Sequence, residues 1–378
     1  RQPLEAQQAG YRMPGNVLLE YQGRRQLANS TTEDELTNAI RKVLYPQSKK
    51  VYFLTGHGER SLEEGSQNGF SQAKQALVNQ GLEVAELNLL AQNQVPADAK
   101  VVILAGPEKP LFPNELKALT EYLQRGGRVL VLLEPYKDAG LKELLAAYGL
   151  ELDDRLILDD NQVSRALGAS VTMPLVINYG KHRITQDFTN IVTIFPLARP
   201  LHLAAKPPSG VELTPLATTT KTSWAKAGQD WLKEGKADFT EGQDRKGPFH
   251  VAVLASKSLE APGKDAPKDQ VEAGEKKEAG SEKPTSESRA YLAVFGDADF
   301  ADNRYFNLSG NGDLFLNTVN FLAGEESQIV VRREEKKAQP LVLRGQQGLL
   351  LLVICLVLLP VGMVIAGINA YLRRRSRR

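Results

Sequence analysis

The sequence predicts an α/β fold: a largely parallel β-sheet flanked by helices, with a β-rich extension and one C-terminal transmembrane helix. Between residues 49 and 148, short apolar runs alternate with helical patterns. Between residues 152 and 256 the helical periodicity fades, and β-rich segments broken by Pro and Gly take its place. Residues 349–372 carry no charged side chain. Apolar strands separated by helices are typical of a parallel sheet that is covered on both faces.

The first of these regions contains the strands of the predicted parallel sheet. Four apolar runs are bounded by turn residues: Val51–Thr55, Leu82–Leu87, Val101–Ala105 and Val129–Leu133. Each has the length and the β-branched or aliphatic composition of a buried strand. We therefore expect four neighbouring strands connected by helices.

Three helices are predicted between and after these strands. The first begins near Phe70 and ends at Gly81, because glycine tolerates the positive φ of a residue that follows a helix. The second has Asn114 as its N-cap and ends at Gly126, and the third spans Leu141–Tyr148. Apolar residues recur at the spacing of one helix face, namely Phe70, Ala73 and Leu77 in the first helix and Leu116, Leu119 and Leu123 in the second.

Residues 1–46 are predicted to be the C-terminal part of a preceding α+β domain. They combine a hairpin-like stretch, with Gly23 at its turn, and a following helical pattern. The chain starts at Arg1 without an initiator Met and without a signal-peptide pattern. Residues 47–330 then form the main α/β domain.

Two parts of the main domain leave alternatives open. The β-rich region 152–256 is either a second β domain or an antiparallel extension of the first sheet. Residues 260–288 are of low complexity and contain no aromatic residue. Because they cannot bury enough apolar area to offset the ordering entropy, we predict a disordered insert. This insert is either a loop between two strands of one domain or a linker between two domains. After it we expect a strand, Tyr291–Phe295, and a helix near Asp313–Leu322 with Asp313 as its N-cap.

The C-terminal region has the features of a membrane anchor. Residues 349–372 form an apolar run that is long enough to span a hydrocarbon core, which takes about 20 residues. Residues 331–348 precede the run as a stalk, and the basic tail RRRSRR, 373–378, follows it. Since cytoplasmic flanks carry the excess of Lys and Arg, the tail is predicted to lie in the cytoplasm and the main domain outside it.

Composition and motifs disfavour several function classes. The formal net charge of +2 gives no support for a nucleic-acid partner. The four histidines are scattered and the one cysteine, Cys355, lies in the apolar run, so a zinc site of His and Cys is not expected. The sequence contains neither a G-x-x-x-x-G-K-[ST] phosphate loop nor a G-x-S-x-G nucleophile elbow. We therefore predict no cofactor and no enzymatic activity.

The first candidate site is the turn Gly56, His57, Gly58 and Glu59, which follows the first predicted strand. In a ligand site, the glycines would let backbone N–H groups approach the ligand, and His57 and Glu59 would act as an acid–base pair or as ligands. In a scaffold, the glycines supply positive φ for a tight turn. We favour the scaffold, since Ser61 stands where a G-x-G-x-x-G motif needs its last glycine.

The second candidate site is the segment GDADFADN, with Asp297, Asp299, Asp302 and Asn303. Three close carboxylates could bind a divalent cation. The segment does not match an EF-hand loop, because Ala301 stands where that loop needs Asp or Asn. Aspartates that accept hydrogen bonds from nearby backbone N–H groups at a strand end explain the pattern without a ligand. We predict no metal site here.

Five stretches, taken in order, carry a resemblance to a known family: VYFLTGHGER, GLEVAELNLL, VVILAGPEKPLFPNELKALTEYLQRGGRVLVLLEP, FGDADFADN and NGDLFLNTVNFLAGEE. They resemble the GldG-like, gliding-motility-type family of extracytoplasmic ABC transporter auxiliary proteins. The resemblance implies an α/β domain similar to class I glutamine amidotransferases and to the N-terminal domain of an intraflagellar-transport subunit. Glutamine amidotransferases need a cysteine nucleophile, and this chain has none outside the apolar run, so it resembles an inactive relative.

Our preferred hypothesis is a non-enzymatic auxiliary subunit, anchored in the bacterial cytoplasmic (inner) membrane, whose main domain is extracytoplasmic. Its partners would be the permease and ATPase subunits of an ABC transporter and the lipid bilayer; the resemblance specifies no cargo. A second hypothesis is a module that binds an envelope glycan or polymer in an aromatic cleft beside Gly56–Glu59. A third and less favoured one is a membrane-anchored hydrolase, which requires His57, Glu59 and the Asp297 cluster to converge within hydrogen-bond reach.

Overall fold

The computed structural model describes residues 16–28, 30–44, 49–63, 65–160, 170–229, 231, 237–259 and 289–324, together with residues 360, 367 and 368. The insert 260–288, the stalk 331–348, the basic tail 373–378 and nearly all of the apolar run 349–372 lie outside the described residues. Within the described part of the chain, no helix is long and apolar enough to cross a membrane. The chain divides into two units, Arg1–Val331 and Arg332–Arg378, and every element below belongs to the first.

The N-terminal described residues form a β-hairpin followed by a helix. Strand β1 (Val17–Tyr21) pairs antiparallel with β2 (Arg24–Ala28), and helix α1 spans Glu33–Leu44. Gln22 and Gly23 at the turn have φ of +49° and +77°. Positive φ at both central positions is what a two-residue hairpin turn requires, and the predicted place of Gly23 is confirmed.

The predicted alternation of strands and helices is confirmed. The elements in chain order are β3 (Lys50–Leu54), α2 (Ser71–Asn79), β4 (Glu83–Leu87), α3 (Leu89–Gln92), β5 (Ala99–Ala105), α4 (Pro113–Gln124), β6 (Arg128–Leu132) and α5 (Lys142–Ala146). β3 pairs parallel with both β4 and β5, and β5 pairs parallel with β6. Only the one-turn helix α3 was not expected from the sequence.

Short strands dominate the region that follows. They are β7 (Leu150–Leu152), β8 (Leu156–Asp159), β9 (Leu175–Tyr179), β10 (Thr193–Ile194), β11 (Leu201–Leu203), β12 (Val211–Thr219), β13 (Ser223–Lys226), β14 (Arg245–Lys246) and β15 (His250–Ser258). After residues 260–288 come β16 (Arg289–Phe295), a 3₁₀ helix (Asp299–Ala301) and α6 (Asn311–Ala323). β8, β13 and β14 form a small antiparallel sheet of their own.

Strand β16 joins the two halves of the main sheet. It pairs parallel with β6 and antiparallel with β15, which gives the order β10-β9-β12-β15-β16-β6-β5-β3-β4, with β11 and β7 attached beside β15. Most of the β-rich region is therefore an antiparallel extension of the first sheet. The sheet as a whole is therefore mixed, and its description as largely parallel holds only for the strands β3 to β6 and β16. Residues 260–288 connect two neighbouring antiparallel strands, as the loop interpretation predicted.

Two hydrophobic cores lie on opposite faces of the parallel strands. Val51 and Phe53 of β3 belong to one core, and the alternate residues Tyr52 and Leu54 belong to the other. Helices α2 and α6 cover the first face with Phe70, Ala73, Leu77, Leu314, Phe315 and Val319. Helices α4 and α5 cover the second face with Leu119, Leu123, Leu144 and Leu145. Because helices bury both faces, the strands carry apolar residues at nearly every position.

The helix ends confirm some of the predicted caps and correct others. Gly81 and Gly126 follow α2 and α4 with φ of +81° and +87°, so both helix-ending glycines are confirmed. Asp313 is not the N-cap of α6, because that helix begins after Gly310. Asp313 lies in the first turn, where a carboxylate still interacts favourably with the helix dipole.

Asn114 is not the N-cap of α4 either. The helix starts at Pro113, and Phe112 occupies the N-cap position. Proline suits the first helical position, since its φ is already helical and it lacks an N–H group that would need a partner. The Oε2 atom of Glu115 accepts the N–H of Phe112 at 2.8 Å. The side chain that caps the helix is therefore that of its third residue, Glu115, which accepts the backbone N–H of the N-cap residue.

A fully buried arginine connects the parallel and antiparallel halves. Arg199 is 0% exposed, and its backbone N–H donates to the carbonyl oxygen of Gly296, at the end of β16, at 2.7 Å. A Cβ at Gly296 would overlap the carbonyl oxygen of Arg199. The guanidinium donates at 2.7–3.2 Å to the carbonyl oxygens of Asp153, Glu134 and Lys137 and to a carboxylate oxygen of Asp154. One side chain thus holds the segments that follow β6 and β7.

We predict that Arg199→Met lowers the free energy of unfolding by about 3 kcal/mol, since it leaves several buried carbonyl oxygens without a donor. Chemical denaturation measures this loss. Arg155→Met is the matched control, because Arg155 pairs with Asp153 from a partly exposed position and should cost less than about 1 kcal/mol. Equal losses in the two variants would contradict the role assigned to Arg199.

Candidate functional site

Both sequence-predicted turns lie at the edge where the parallel strands end. The first follows β3 and the second follows β16. Backbone hydrogen bonds hold this edge together: Arg60 N–H donates to the carbonyl oxygen of Ala105 at 2.8 Å, and Leu133 N–H donates to that of Phe295 at 2.9 Å. In open α/β sheets, ligands bind at the carboxyl ends of the strands. We call this edge the carboxyl edge. A ligand-binding site is expected there.

The backbone of the first turn depends on its glycines. Gly56 and Gly58 have φ of +122° and +83°, which confirms the predicted need for glycine. A Cβ at Gly58 would lie 3.0 Å from Cβ of Glu108. Between them, the carbonyl oxygen of His57 accepts the N–H groups of Glu108 and Lys109 at 2.8 and 3.0 Å. The turn is thus fastened to the loop after β5.

The side chain of His57 lies between two buried carboxylates. Its ring is 2% exposed; Nε2 lies 2.9 Å from Oε2 of Glu115, and Nδ1 lies 3.4 Å from Oε1 of Glu59. The other oxygen of Glu59 accepts the backbone N–H of His57 at 2.7 Å. The structure therefore brings the two predicted residues together and adds Glu115, which the sequence analysis missed. The sequence does contain a pattern that points to Glu115. It stands three residues after Phe112, which is the spacing at which an acidic side chain caps the backbone at the start of a helix.

One residue of this region presents a large apolar surface to solvent. The ring of Phe112 meets the ring of His57 edge-on with centroids 5.9 Å apart, yet the residue is 53% exposed. An aromatic side chain that is half exposed beside a polar turn is a candidate contact for a partner. His57 itself is covered and reaches solvent only marginally.

In the second turn, Asp297 accepts hydrogen bonds from the backbone. The residue is fully buried, and its carboxylate oxygens accept the N–H groups of Asp299 at 2.8 Å and Phe300 at 3.2 Å. These bonds satisfy the first donors of the 3₁₀ helix, as the scaffold interpretation expects. Burial first, and then the nearby carboxylates of Glu134 and Asp299, raise the pKa of Asp297 well above its ordinary value of 3.8.

Two acidic residues of this cluster share one arginine. Nη2 of Arg60 donates to Oε1 of Glu134 at 2.8 Å and to Oδ1 of Asp299 at 2.6 Å. Gly106 leaves room for the arginine, because a Cβ there would lie 3.3 Å from its Nε. Burial and the carboxylate of Asp299 raise the pKa of Glu134, and Arg60 opposes that rise. Neither Arg60 nor Glu134 was proposed from the sequence, since neither stands in a recognisable motif.

The acidic residues Glu134, Asp297 and Asp299 could together offer ligand atoms within 4.8 Å of one another. Arg60 bridges two of these carboxylates, and the third, Asp297, accepts two backbone N–H groups. A divalent cation would have to displace the guanidinium and compete with those bonds. The arrangement fits an ion-pair cluster better than a metal site, and the absence of a metal stays a prediction.

Of the last two predicted residues, Asp302 is linked to this acidic cluster through Arg304, whose Nη2 also lies 3.6 Å from Oδ2 of Asp299, and Asn303 makes other contacts. Asp302 is buried and accepts the Nε and Nη2 donors of Arg304 at 3.0 and 2.7 Å. Burial raises the pKa of Asp302, while Arg304 opposes the rise. Asn303 accepts the backbone N–H of Gln72 at 2.9 Å and donates to the carbonyl oxygen of Ser66 at 2.7 Å. Asn303 thus ties the start of α2 to the second turn.

The two turns form separate clusters. Among the contacts of the described residues, no hydrogen bond or ion pair joins His57 or Glu59 to Asp297, Asp299 or Asp302. The convergence that a hydrolase would need is therefore not seen in the described part of the chain. Two cavities of about 700 and 470 Å³ are lined by other residues, so neither is an aromatic cleft beside Gly56–Glu59.

Comparison with known proteins identifies the family. Residues 48–322 match the ABC transporter auxiliary family described as an ABC-type uncharacterized transport system. This match spans most of the chain, so the protein belongs to that family and is an auxiliary component associated with an ABC-type transport system. No curated protein sequence matches significantly.

Solved structures show only distant similarity. The "mmIFT52 N-terminal domain" is 14% identical with a TM-score of 0.46, covering 72% of this chain and 97% of that chain. A "thua-like protein" from Bacteroides uniformis is 11% identical with a TM-score of 0.40, covering 73% and 91%. Another from Parabacteroides merdae is 12% identical with a TM-score of 0.35, covering 74% and 91%.

The raised pKa of Asp297 predicts a pH dependence of stability. The folded protein holds this proton more tightly than the unfolded chain, so the stability it contributes is fully present below the ordinary pKa of 3.8 and is lost as the pH rises through the raised folded value. Asp297→Asn cannot titrate. We expect the free energy of unfolding of wild type minus that of Asp297→Asn to fall as the pH rises from about 4 to about 9.

Denaturation at a series of pH values measures this difference. Asp187→Asn is the control, since Asp187 is exposed. A wild-type minus Asp297→Asn difference that stayed constant, or grew with pH, would show that Asp297 does not hold its proton in the folded state.

Proposed function

We propose that this protein is a membrane-anchored, non-enzymatic, extracytoplasmic auxiliary subunit of an ABC transporter, whose ATPase and permease are separate chains. Family membership supports the association with a transport system. The observation that carries the non-enzymatic role is the internal use of the polar groups at the carboxyl edge. His57, Asp297 and Asp302 are all buried. Asp297 and Asp302 accept hydrogen bonds from their own chain, and Nε2 of His57 lies 2.9 Å from Glu115, although neither ring nitrogen makes a hydrogen bond among the described residues.

Catalysis at this edge would need a nucleophile or an acid–base pair that can reach a substrate. Cys355 lies in the apolar run, and the carboxylates of Asp299 and the buried Asp302 are paired with Arg60 and Arg304. A glutamine-amidotransferase-like ancestry without the cysteine nucleophile is consistent with this arrangement. The proposed role of the edge is structural, with the exposed ring of Phe112 available to a partner subunit.

The membrane anchor is the second part of the proposal. The uncharged run 349–372 is long enough to span a bilayer, and the five arginines within 373–378 favour a cytoplasmic C-terminus. The main domain then lies outside the cytoplasm, at the bacterial inner membrane. ATP is scarce in that compartment, which agrees with an ATPase on a separate chain.

A second candidate function is recognition of an envelope glycan or polymer. The observation in its favour is the exposed ring of Phe112 next to the first turn, because sugar rings pack on aromatic faces. Phe112→Ser distinguishes the two functions. Loss of polymer binding with intact transporter assembly would favour the glycan module, and loss of assembly would favour the auxiliary subunit.

The orientation can be tested by labelling cysteines in intact cells. With Cys355 replaced by Ala, a cysteine at Ser281 should react with an impermeant maleimide, and one at Ser376 should react only after the membrane is permeabilised. Affinity purification of the same full chain should retain the permease and the ATPase. Labelling of Ser376→Cys but not Ser281→Cys would reverse the topology, and failure to retain either transporter subunit would refute the proposed association.

The non-catalytic role of the first turn predicts how its variants behave. His57→Ala should reduce transporter function only as far as it reduces protein abundance and assembly, because it removes a buried ring that packs against Phe112 and lies between Glu59 and Glu115. Gly56→Val should be worse, since a β-branched residue does not tolerate φ near +122°. Complementation, paired with protein level and pull-down of the permease, measures both effects. A His57→Ala protein with normal abundance, stability and assembly but no function would instead indicate a ligand or catalytic site.

A further inference from the structure

The edge opposite the candidate site, where the parallel strands begin, is rich in positive charge. A cavity of about 700 Å³ opens at the amino ends of β3, β5 and β6. Four basic residues line it: Lys49, Lys100, Arg125 and Arg128. Gly324, at the C-terminal end of α6, also lines this cavity. The positive charges therefore surround the point from which the chain continues towards the apolar run.

Two of these cations neutralise the C-terminal end of α6. Nζ of Lys49 donates to the carbonyl oxygen of Gly324 at 2.9 Å, and Nη1 of Arg128 donates to that of Leu322. Such bonds satisfy the last carbonyl groups of a helix. Lys100 and Arg125 are exposed, and within the described part of the chain neither side chain has an acidic partner. These two charges are available to an external anion.

A second basic cavity adjoins the first. It has a volume of about 470 Å³, and its cationic lining residues are Lys181, Arg183 and Arg289. His182 also lines it, but burial lowers the pKa of this ring. The guanidinium of Arg128 lies 5.6 Å from the ring centroid of Tyr291, and Tyr291 meets Phe321 edge-on at 5.3 Å. Tyr291 and Phe321 line the second cavity and Arg128 lines the first, so the contact between Arg128 and Tyr291 links the linings of the two cavities. We call the two linings together the basic edge.

Acidic residues only partly balance this surface. Glu212 lines the second cavity and pairs with Arg289 at 3.1 Å. Asp98 and Glu83 lie nearby and pair with Lys50 at 3.1 and 3.0 Å. The described lining residues of the two cavities are seven Lys or Arg against one carboxylate, Glu212, so the basic edge carries net positive charge. Aromatic side chains beside Lys and Arg are also what proteins place at the level of lipid headgroups.

We infer that the basic edge binds the phosphate groups of anionic phospholipids at the surface of the membrane. The inference rests on the proposed function, since it needs a bilayer close to this domain. It draws on charge complementarity and on the position of Gly324, from which the chain continues to the apolar run that begins at Leu349. An anionic surface attracts each nearby Lys or Arg enough to raise the bound population about fivefold. Lipid contact would orient the domain on the membrane and leave the carboxyl edge free for protein partners.

The test uses the full chain with Cys355→Ala, reconstituted into vesicles. A cysteine at Ala97, an exposed residue that lines the first cavity, carries a fluorophore, and a headgroup-labelled lipid acts as quencher. Phosphatidylcholine vesicles are compared with vesicles that also contain phosphatidylglycerol. We expect stronger quenching with phosphatidylglycerol, a decrease with added salt, and a decrease of about fivefold in the lipid-bound population for each cation removed.

Charge-reversal variants identify the surface. Lys100→Glu with Arg125→Glu should abolish the dependence on phosphatidylglycerol. Lys109→Glu with Lys117→Glu, exposed residues away from the basic edge, should retain it. A label at Asn114, near the carboxyl edge, should not respond to phosphatidylglycerol. Equal quenching in the two kinds of vesicle, or an equal response of the label at Asn114, would overturn the inference.

Two further arms separate this inference from its rivals. Inorganic phosphate, compared with chloride at equal ionic strength, should compete no better than chloride; stronger competition would show a site for a soluble anion and overturn the lipid assignment.

Flotation with pure phosphatidylcholine vesicles tests the proposed anchor independently. If the chain floats only with vesicles that contain phosphatidylglycerol, the proposed membrane anchor is refuted and lipid binding by the basic edge is supported. If it floats with both kinds of vesicle and quenching is the same in both, the anchor is supported and lipid binding by the basic edge is refuted.

Discussion

The double pairing of β16 is the constraint on which the rest of the structure depends. This strand pairs parallel with β6 on one side and antiparallel with β15 on the other, so it converts a parallel sheet into a mixed one. Its carboxyl end places Asp297 beside Glu134 and brings Gly296 to Arg199. The acidic cluster and the buried arginine clamp both follow from that position.

Burial decides what the charged groups at the carboxyl edge can do. A buried charge is costly unless it is paired, and here Arg60 and Arg304 pair with Asp299 and Asp302. Asp297, whose raised pKa favours the neutral form, accepts backbone N–H groups instead. Groups used in this way stabilise the fold but have little freedom to act on a substrate. The basic edge on the opposite side of the sheet differs, because it has more cationic side chains than nearby carboxylates to pair with them. The domain therefore presents one edge whose charges are paired internally and one edge with an excess of cations, and our proposal of a non-enzymatic role rests on the first of these.

Local sequence patterns predicted the parts of the fold that depend on neighbouring residues. The strands β3, β4, β5 and β6, and the glycines Gly81 and Gly126, follow from apolar runs and backbone geometry. The parallel direction of these four strands was predicted as well. Whether residues 152–256 extend the same sheet was left open, since the composition of a buried strand does not show which strand it pairs with. Arg60, Glu115 and Arg199 were missed because their partners are distant in the chain or, for Glu115, because Pro113 shifted the helix start. The candidate turns were located correctly, but the contacts that hold them were not predictable.

Amide hydrogen exchange in the native full chain tests the central claim, that the carboxyl edge is a fixed scaffold, most directly. The informative amides are those of Glu108 and Lys109, which donate to His57, and of Asp299 and Phe300, which donate to Asp297. The account predicts that they exchange only through global unfolding, as slowly as the amides in the centre of β6. Exchange orders of magnitude faster than in β6 would show that the edge opens locally, as a working site does, and would contradict the account.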